Sequence, residues 1–418
     1  MENRLFARQL APRILAALRD NPVVLLNGAR QVGKSTLAQM LLEQGHKAQY
    51  LTLDDPTTLT ALHEDPRAVL EAIEGNIIID EVQRAPEVFR AIKGIIDKHR
   101  TPGRFLLTGS ANVLRAHMLS ESLTGRMEIL TLYPFSQSEI ENSSGNLVDS
   151  LFQSRFPANL KLAPETPEGL RRRMLRGGYP EPVHREDQGR RQAWFRSYLT
   201  TILQRDIREL ANIEGLSMMP RLLASLASRS GSLLNYAAIA AESGIPQSTL
   251  KRYLSLFEAS YLVGTAPAWS VNIGKRLVKS PKLYMLDIGL ALAVLGADAN
   301  RLVRDPEMSG RMFETFIFTE LLKLVSWSEN TPRLFHFRTH VGDEVDFILE
   351  RDDGRIVAIE AKSGTSIRSE TLKTMTLLKQ DQKKRFHRGV VLYGGKEIMP
   401  LGRDLFAVPV SALWSKEG

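Results

Sequence analysis

The segment Gly28-Ala29-Arg30-Gln31-Val32-Gly33-Lys34-Ser35 fits the pattern GxxxxGK[ST] at every specified position. Its surroundings narrow the fold further. Val23–Leu26 is a short apolar run with Pro22 at its start, where a missing N–H costs no ladder bond. Thr36–Leu42 continues as a helical stretch. Strand, glycine-rich turn and helix in that order build an anion cradle. The glycines let the backbone close round phosphates, and the N–H groups of the loop and of the new helix point at them. Gly28 to Ser35, with Thr36, are therefore expected to bind a nucleotide. Lys34 would reach the β and γ phosphates, and the Ser35 hydroxyl would ligate Mg²⁺.

The rest of residues 1–140 repeats the alternation. Tyr50–Leu53, Ile77–Ile79, Phe105–Leu107 and Met127–Leu132 are apolar runs, and Val88–Lys98 is helical. Such strands separated by helices predict an α/β unit, a parallel sheet covered on both faces. Ile77-Ile78-Ile79-Asp80-Glu81 ends a buried strand in two carboxylates, at the edge where open α/β sheets bind ligands. Asp80 would hold Mg²⁺ through water, and Glu81 would orient the attacking water. Phe105-Leu106-Leu107-Thr108-Gly109-Ser110 reads as the next strand. Thr108, Ser110 or Asn112 at its tip would meet the γ phosphate or that water. Arg126, ahead of the last strand, is a candidate γ-phosphate sensor in its own site or a neighbour's.

The runs GARQVGKST, IIIDE, LLTGS and LTGRMEILTLYPFS, with GGYPEPV later, resemble prokaryotic AAA-type ATPases whose C-terminal domain is functionally uncharacterised. The resemblance is strongest over residues 20–215. It implies a P-loop core with sheet order 5-1-4-3-2, ATP as the nucleotide, and relatives that often form rings. No guanine-reading NKxD motif is present.

Leu234–Ala241 and Gln247–Tyr261 read as two helices joined by a turn at Gly244, which fits helix-turn-helix. Leu250, Tyr253, Leu254 and Phe257 form the apolar stripe, leaving Lys251 and Arg252 outward. Val271–Ile273 and Lys282–Met285 are expected as the strands of a wing, with Lys275, Arg276 and Lys279 at its tip. Lys251, Arg252, Lys275 and Arg276 are thus the candidate contacts to double-stranded DNA. The same fold also serves protein contacts, which leaves a protein partner open.

Near the C-terminus, Val345–Leu349 and Ile356–Lys362 read as a hairpin turned at Asp352-Asp353-Gly354. Glu360 and Lys362 share a strand face, and Asp346 on the partner strand can join them. This D…ExK pattern resembles the core of PD-(D/E)xK nucleases. The resemblance adds Glu314, on an upstream helix Arg311–Lys323, as a helix carboxylate. Asp346 and Glu360 would bind Mg²⁺ while Lys362 steadies developing charge. Whether such a domain cuts DNA or is catalytically silent stays open at this point. His336 and Arg338 share a strand face ahead of Asp346, where they could contact phosphate; placement on the surface is the expectation.

The expected layout is an ATPase core over 1–145, a helical region over 146–215, a winged-helix-like domain over 216–298 and a nuclease-like α/β domain over 299–418. The chain has 55 Lys+Arg and 47 Asp+Glu, net +8. Residues 216–300 carry 8 basic and 4 acidic side chains, so half the excess lies there, compatible with a DNA-facing surface. Cysteine is absent, which excludes disulfides and thiolate chemistry. No apolar run approaches the ~20 residues of a membrane span, and a cytoplasmic location is expected.

Overall fold

Five parallel strands organise the first unit: β1 (Val23–Asn27), β2 (Ala48–Thr52), β3 (Asn76–Asp80), β4 (Phe105–Gly109) and β5 (Met127–Thr131). Their order is β2-β3-β4-β1-β5, which is the expected 5-1-4-3-2. The sequence explains the order of burial. β1 and β4 are apolar up to Asn27 and Thr108 at their carboxyl ends and are buried at every position, as interior parallel strands must be. β2 and β5 mix polar residues and are half-exposed at the two edges. One core packs Val23, Leu25, Ile77, Ile79, Phe105 and Leu107 against Phe89 and Ile92 of the Val88–Lys98 helix. Because β3, β4 and β1 are neighbours, their carboxyl ends meet at one edge: Asn27 is level with Gly109, and Ile79 with Leu107.

The computed structural model describes residues 5–110, 123–156, 162, 164–210, 216–339 and 341–415. Asn112 falls outside them. Two units are distinct: Arg8–Pro134 with Ala259–Tyr261, and the remainder of the chain.

The second unit begins with helices, among them Pro167–Arg176, Gln188–Thr201 and Met219–Ser228. A three-stranded antiparallel sheet follows, ordered β6-β8-β7: β6 (Ser232–Leu233), β7 (Val263–Ala266) and β8 (Lys282–Met285). Two helices lie between β6 and β7. Tyr236–Ser243 is capped by Asn235 and ends on Gly244 at φ 71°, and Gln247–Ala259 follows. Leu250, Tyr253, Leu254 and Phe257 are buried, as their spacing requires, while Lys251 and Arg252 are exposed. The expected strand Val271–Ile273 does not form. Asn272 instead caps a helix, Ile273–Val278, by accepting from the Lys275 N–H, and β8 pairs with β6 and β7.

The same unit closes with a six-stranded mixed sheet, β13-β14-β12-β11-β10-β9. These are β9 (Arg333–Arg338), β10 (Glu344–Glu350), β11 (Ile356–Lys362), β12 (Phe386–Tyr393), β13 (Met399–Gly402) and β14 (Leu405–Pro409). β10 and β11 form the expected antiparallel hairpin, with Gly354 at φ 81° in its turn. The long helix Pro306–Ser326 starts on Asp305, whose carboxylate caps the Met308 N–H at 2.9 Å. Its Phe318 stacks on Phe347 of β10 at 6.3 Å. Met375 and Leu378 of the helix Ser369–Gln382 join a core with Ile348, Ala358 and Val391.

Candidate active site

The glycine-rich loop joins β1 to the helix Lys34–Glu43. At Gly28, φ is 153° and an added Cβ would lie 2.3 Å from the Leu132 carbonyl oxygen, so the first glycine is a steric requirement. Gln31 and Gly33 also have positive φ, 60° and 93°. The loop thereby curls until Lys34 Nζ reaches the carbonyls of Gly28 at 3.2 Å and Ala29 at 2.8 Å. Lys34 is buried, its ammonium held by the loop it follows. Asn27, fully buried, accepts from the Gly28 N–H at 2.9 Å, while its own amide nitrogen has no hydrogen-bond partner.

At the same sheet edge Ser35 Oγ donates to Asp80 Oδ1 at 3.0 Å. Thr108 Oγ1 also donates to Asp80 Oδ1 and accepts from the Glu81 N–H at 3.2 Å. Asp80 is buried. Tyr50 of β2 faces it; burial first, and the Asp80 charge second, hold the Tyr50 phenol well above its ordinary pKa. Glu81 sits at φ 60°, a left-handed conformation that costs a non-glycine residue of order 1–3 kcal/mol. Its carboxylate accepts from the Gln83 side-chain amide, whose oxygen in turn accepts from the Ser110 N–H at 3.2 Å. Gln83 therefore ties the tip of β3 to the tip of β4. Sequence reasoning passed over it because glutamine carries no charge and falls outside the strand–acid pattern.

These residues fit a nucleotide with its metal ion. A hydroxyl–carboxylate pair, half-buried Ser35 with buried Asp80, is a donor set suited to a hard divalent cation. The loop leaves no room for a side chain at Gly28. Arg126 does not belong to this arrangement. β5 runs parallel to β1 with Met127 beside Val23, so Arg126 lies at the amino edge of the sheet. Four residue steps of about 3.3 Å, roughly 13 Å, separate that edge from Asn27. Arg126 pairs there with Asp97 at 2.8 Å.

A second cluster lies in the C-terminal sheet. The hairpin brings Asp346 and Glu360 together: the Asp346 N–H meets Glu360 Oε2 at 3.4 Å, and Asp346 Oδ2 accepts from the Ala361 N–H at 2.9 Å. Lys362 Nζ lies 2.8 Å from Glu360 Oε1. Glu314, from the Pro306–Ser326 helix, completes the set expected from the sequence. At its centre is a residue not anticipated, Lys282 of β8. Its Nζ is 2.8 Å from Glu314 Oε1 and 3.4 Å from Asp346 Oδ1, and it pairs with Glu344. Lys282 is 2% exposed. Tyr284, two residues on and so on the same strand face, donates to Glu314 Oε1 at 2.7 Å.

Burial raises the Glu360 pKa to about 8, helped by the Asp346 charge and opposed by Lys362. Burial and Asp346 raise Glu314 to about 7 against the pull of Lys282. For Lys282 burial works downward, but Asp346, Glu314 and Glu344 outweigh it and hold the ammonium well above its usual range. Among the described residues no group of three or more His, Asp or Glu is arranged to hold a metal ion.

The candidate DNA contacts divide. Lys251, Arg252 and Lys275 are exposed, with Lys251 Nζ 5.4 Å from the Tyr236 ring centre. Arg276 is not available. Its guanidinium makes a two-pronged pair with Glu350 at 2.6 and 2.8 Å, beneath Phe335 and Trp269. The helical turn over Ile273–Val278 rotates it inward, where an expected hairpin tip would have left it in solvent. His336 is also buried rather than on the surface; burial lowers its pKa to about 4, and its Nε2 lies 3.1 Å from the Ser280 carbonyl.

Residues 20–141 match the family described as an AAA domain. Residues 167–301 and 309–413 match two families described as domains of unknown function, DUF8612 and DUF4143. Among solved structures, the chain resembles the Walker-type ATPase of Pyrococcus abyssi at 16% identity and a TM-score of 0.43, covering 69% of this chain and 96% of that one. It also resembles the Holliday junction branch migration motor of Thermotoga maritima at 18% identity and a TM-score of 0.30, covering 63% and 90%. An uncharacterized protein of Methanocaldococcus jannaschii is 21% identical over 82% of this chain and 75% of its own length. Uncharacterized proteins of Mycobacterium tuberculosis and Mycobacterium bovis are each 32% identical over 409 residues, 97% of this chain and 84% of theirs. The chain belongs to the family of these mycobacterial proteins, and in this chain an AAA domain precedes two domains of unknown function.

Proposed function

We propose that the chain binds ATP at Gly28–Thr36, hydrolyses it with Mg²⁺, and uses the nucleotide state to operate its C-terminal modules on DNA. The observation that carries the reading is the convergence of Lys34, Ser35, Asp80 and Thr108 at the carboxyl edge of β1, β4 and β3. Lys34 exchanges its two loop carbonyls for the β and γ phosphate oxygens. Ser35 and Asp80 would hold a Mg²⁺ ion, which would supply positive charge against the phosphates. Glu81 orients a water and takes its proton as the water oxygen bonds to the γ phosphorus. The bond from that phosphorus to the bridging oxygen breaks, and ADP leaves with the electron pair. Gln83 positions Glu81 and relays its place to Ser110.

The DNA part of the reading rests on exposed Lys251 and Arg252 on a turn-linked helix pair, with exposed Lys275 on the Ile273–Val278 helix. It is tested by titrating a labelled duplex at several salt concentrations. Binding through phosphates gives an affinity that falls with salt, and Lys251→Ala with Arg252→Ala reduces the slope by about 0.9 per lost contact. No binding, or a salt-independent affinity, would shift the reading to a nucleotide-operated switch for a protein partner. A second reading concerns the C-terminal domain: one ammonium at the centre of its carboxylates favours a catalytically silent nuclease-like module over an active one.

A further inference from the structure

The carboxylate cluster gathers charge from elements far apart in sequence. Glu314 comes from the Pro306–Ser326 helix, Glu344 and Asp346 from β10, and Glu360 from β11. Two lysines answer them. Lys362 belongs to the same sheet, sits at its margin and pairs with Glu360 alone among these carboxylates. Lys282 is different in origin and in depth. It opens β8 of the three-stranded sheet, and its backbone is held on both sides, level with Leu233 of β6 and with Ala266 of β7. From that fixed position its side chain enters the other sheet's acidic cluster and meets three carboxylates at once.

We propose that Lys282 is the resident cation of this cluster: a tethered ammonium that fills the place of a divalent metal and locks the three-stranded sheet onto the C-terminal sheet. The chemistry of the donors supports this. A hard cation needs several oxygens converging on one point; Glu314, Glu344 and Asp346 converge on Nζ, spaced for an ammonium and not as a metal shell while Lys282 is in place. One lysine offers three N–H donors, one for each of the three carboxylates. A metal ion can enter only if β8 withdraws.

Arg276 supplies a second bolt across the same junction. It lies six residues before Lys282, and its guanidinium grips Glu350 at the far end of β10. Trp269 Nε1 donates to the same carboxylate at 3.1 Å. Both bolts run from residues within the 167–301 match to acids within the 309–413 match. The two regions of unknown function are thus one clasped body, in which the strand from the first keeps the acids of the second occupied. The proposal deepens the silent-module reading and rests on it, but not on the assignment of ATP, since nucleotide binding is read by a separate assay.

The test uses the full chain without nucleotide. Free Mn²⁺ is followed by electron paramagnetic resonance for the wild type, Lys282→Met, Asp346→Asn, and the Lys282→Met/Asp346→Asn double variant. The proposal expects the wild type to show no Mn²⁺ site that depends on Asp346. Lys282→Met gains one site, at least tenfold tighter than anything in the wild type, and the double variant loses it. An Asp346-dependent site in the wild type, or no gained site in a folded Lys282→Met, overturns it. Circular dichroism and ATP binding report whether the variants fold. Should Lys282→Met not fold, reductive methylation of the wild type with formaldehyde decides. Lys282 stays unmodified while Lys251 and Lys275 react; equal reaction at Lys282 overturns the proposal.

Discussion

Gly28 to alanine is the substitution whose cost the structure fixes most closely. The new Cβ would sit 2.3 Å from the Leu132 carbonyl oxygen and 3.3 Å from the Leu132 carbonyl carbon, both backbone atoms. An ordinary contact begins at 3.4 Å, 1.1 Å beyond the first of these. Leu132 cannot simply retreat, because its N–H donates to the Asn27 carbonyl at 2.7 Å, one residue before the glycine. Breaking that bond in a buried setting costs about 1–3 kcal/mol. Holding alanine at a φ of 153° adds about 1–3 kcal/mol. The sum, about 2–6 kcal/mol, is a large share of the 5–15 kcal/mol of a typical domain. Gly75 provides the control: its φ is 77°, yet nothing lies within 4 Å of its Cβ, so Gly75→Ala meets only the backbone term, about 1–2 kcal/mol. Urea unfolding of both variants without nucleotide measures the difference. Gly28→Ala should lose at least about 1 kcal/mol more than Gly75→Ala, and its loop, displaced to relieve the clash, should bind ATP at least tenfold more weakly. Equal destabilisation by the two alanines would refute the steric argument.

Three other outcomes follow from the geometry. Glu81→Gln should keep ATP binding and lower turnover by about 10²–10⁴-fold, the usual worth of a positioned base; unchanged single-turnover rates would remove Glu81 from that role. Arg276→Met strips Glu350 of its two-pronged partner and leaves Trp269 and the more exposed Arg333 to satisfy it; about 2–4 kcal/mol should be lost in urea unfolding, somewhat below the 3–5 kcal/mol of a fully orphaned buried charge, and a loss under about 0.5 kcal/mol would show the pair to be dispensable. Glu360, with a folded pKa of about 8 against an ordinary 4.5, binds more protons folded than unfolded between those values, so its share of stability is complete below about pH 4.5 and drains away as pH rises to about 8. Glu360→Gln should therefore flatten the decline of the melting temperature from pH 5 to pH 8, and a parallel decline in wild type and variant would contradict the linkage.

What the sequence revealed and what it hid follow from how local each signal is. The loop, the Ile77–Asp80 strand and the tip at Thr108–Ser110 are written in contiguous residues, and parallel order then brings their carboxyl ends together. Residue type and a place ahead of the last strand suggest a sensor at Arg126, and only the β1–β5 register reveals that it lies at the opposite edge. The apolar residues at Val271–Ile273 suggested a strand, but Asn272 is a good helix cap, and capping turned Arg276 inward. Lys282 carried a signal that went unread. It shares a strand face with Tyr284 in a short apolar run, and a lysine buried that way must find carboxylates. Its partners Glu314, Glu344 and Asp346 lie 32, 62 and 64 residues on in sequence, so no motif could name them.

The central claim, that Gly28–Thr36 binds ATP for hydrolysis, is met most directly by phosphate release from ATP and Mg²⁺ by the purified chain, beside Lys34→Ala. The account requires steady release by the wild type and loss of both binding and release in the variant, with circular dichroism unchanged. Release by Lys34→Ala at the wild-type rate would contradict it, because the ammonium now held by the Gly28 and Ala29 carbonyls would then have no part in the reaction.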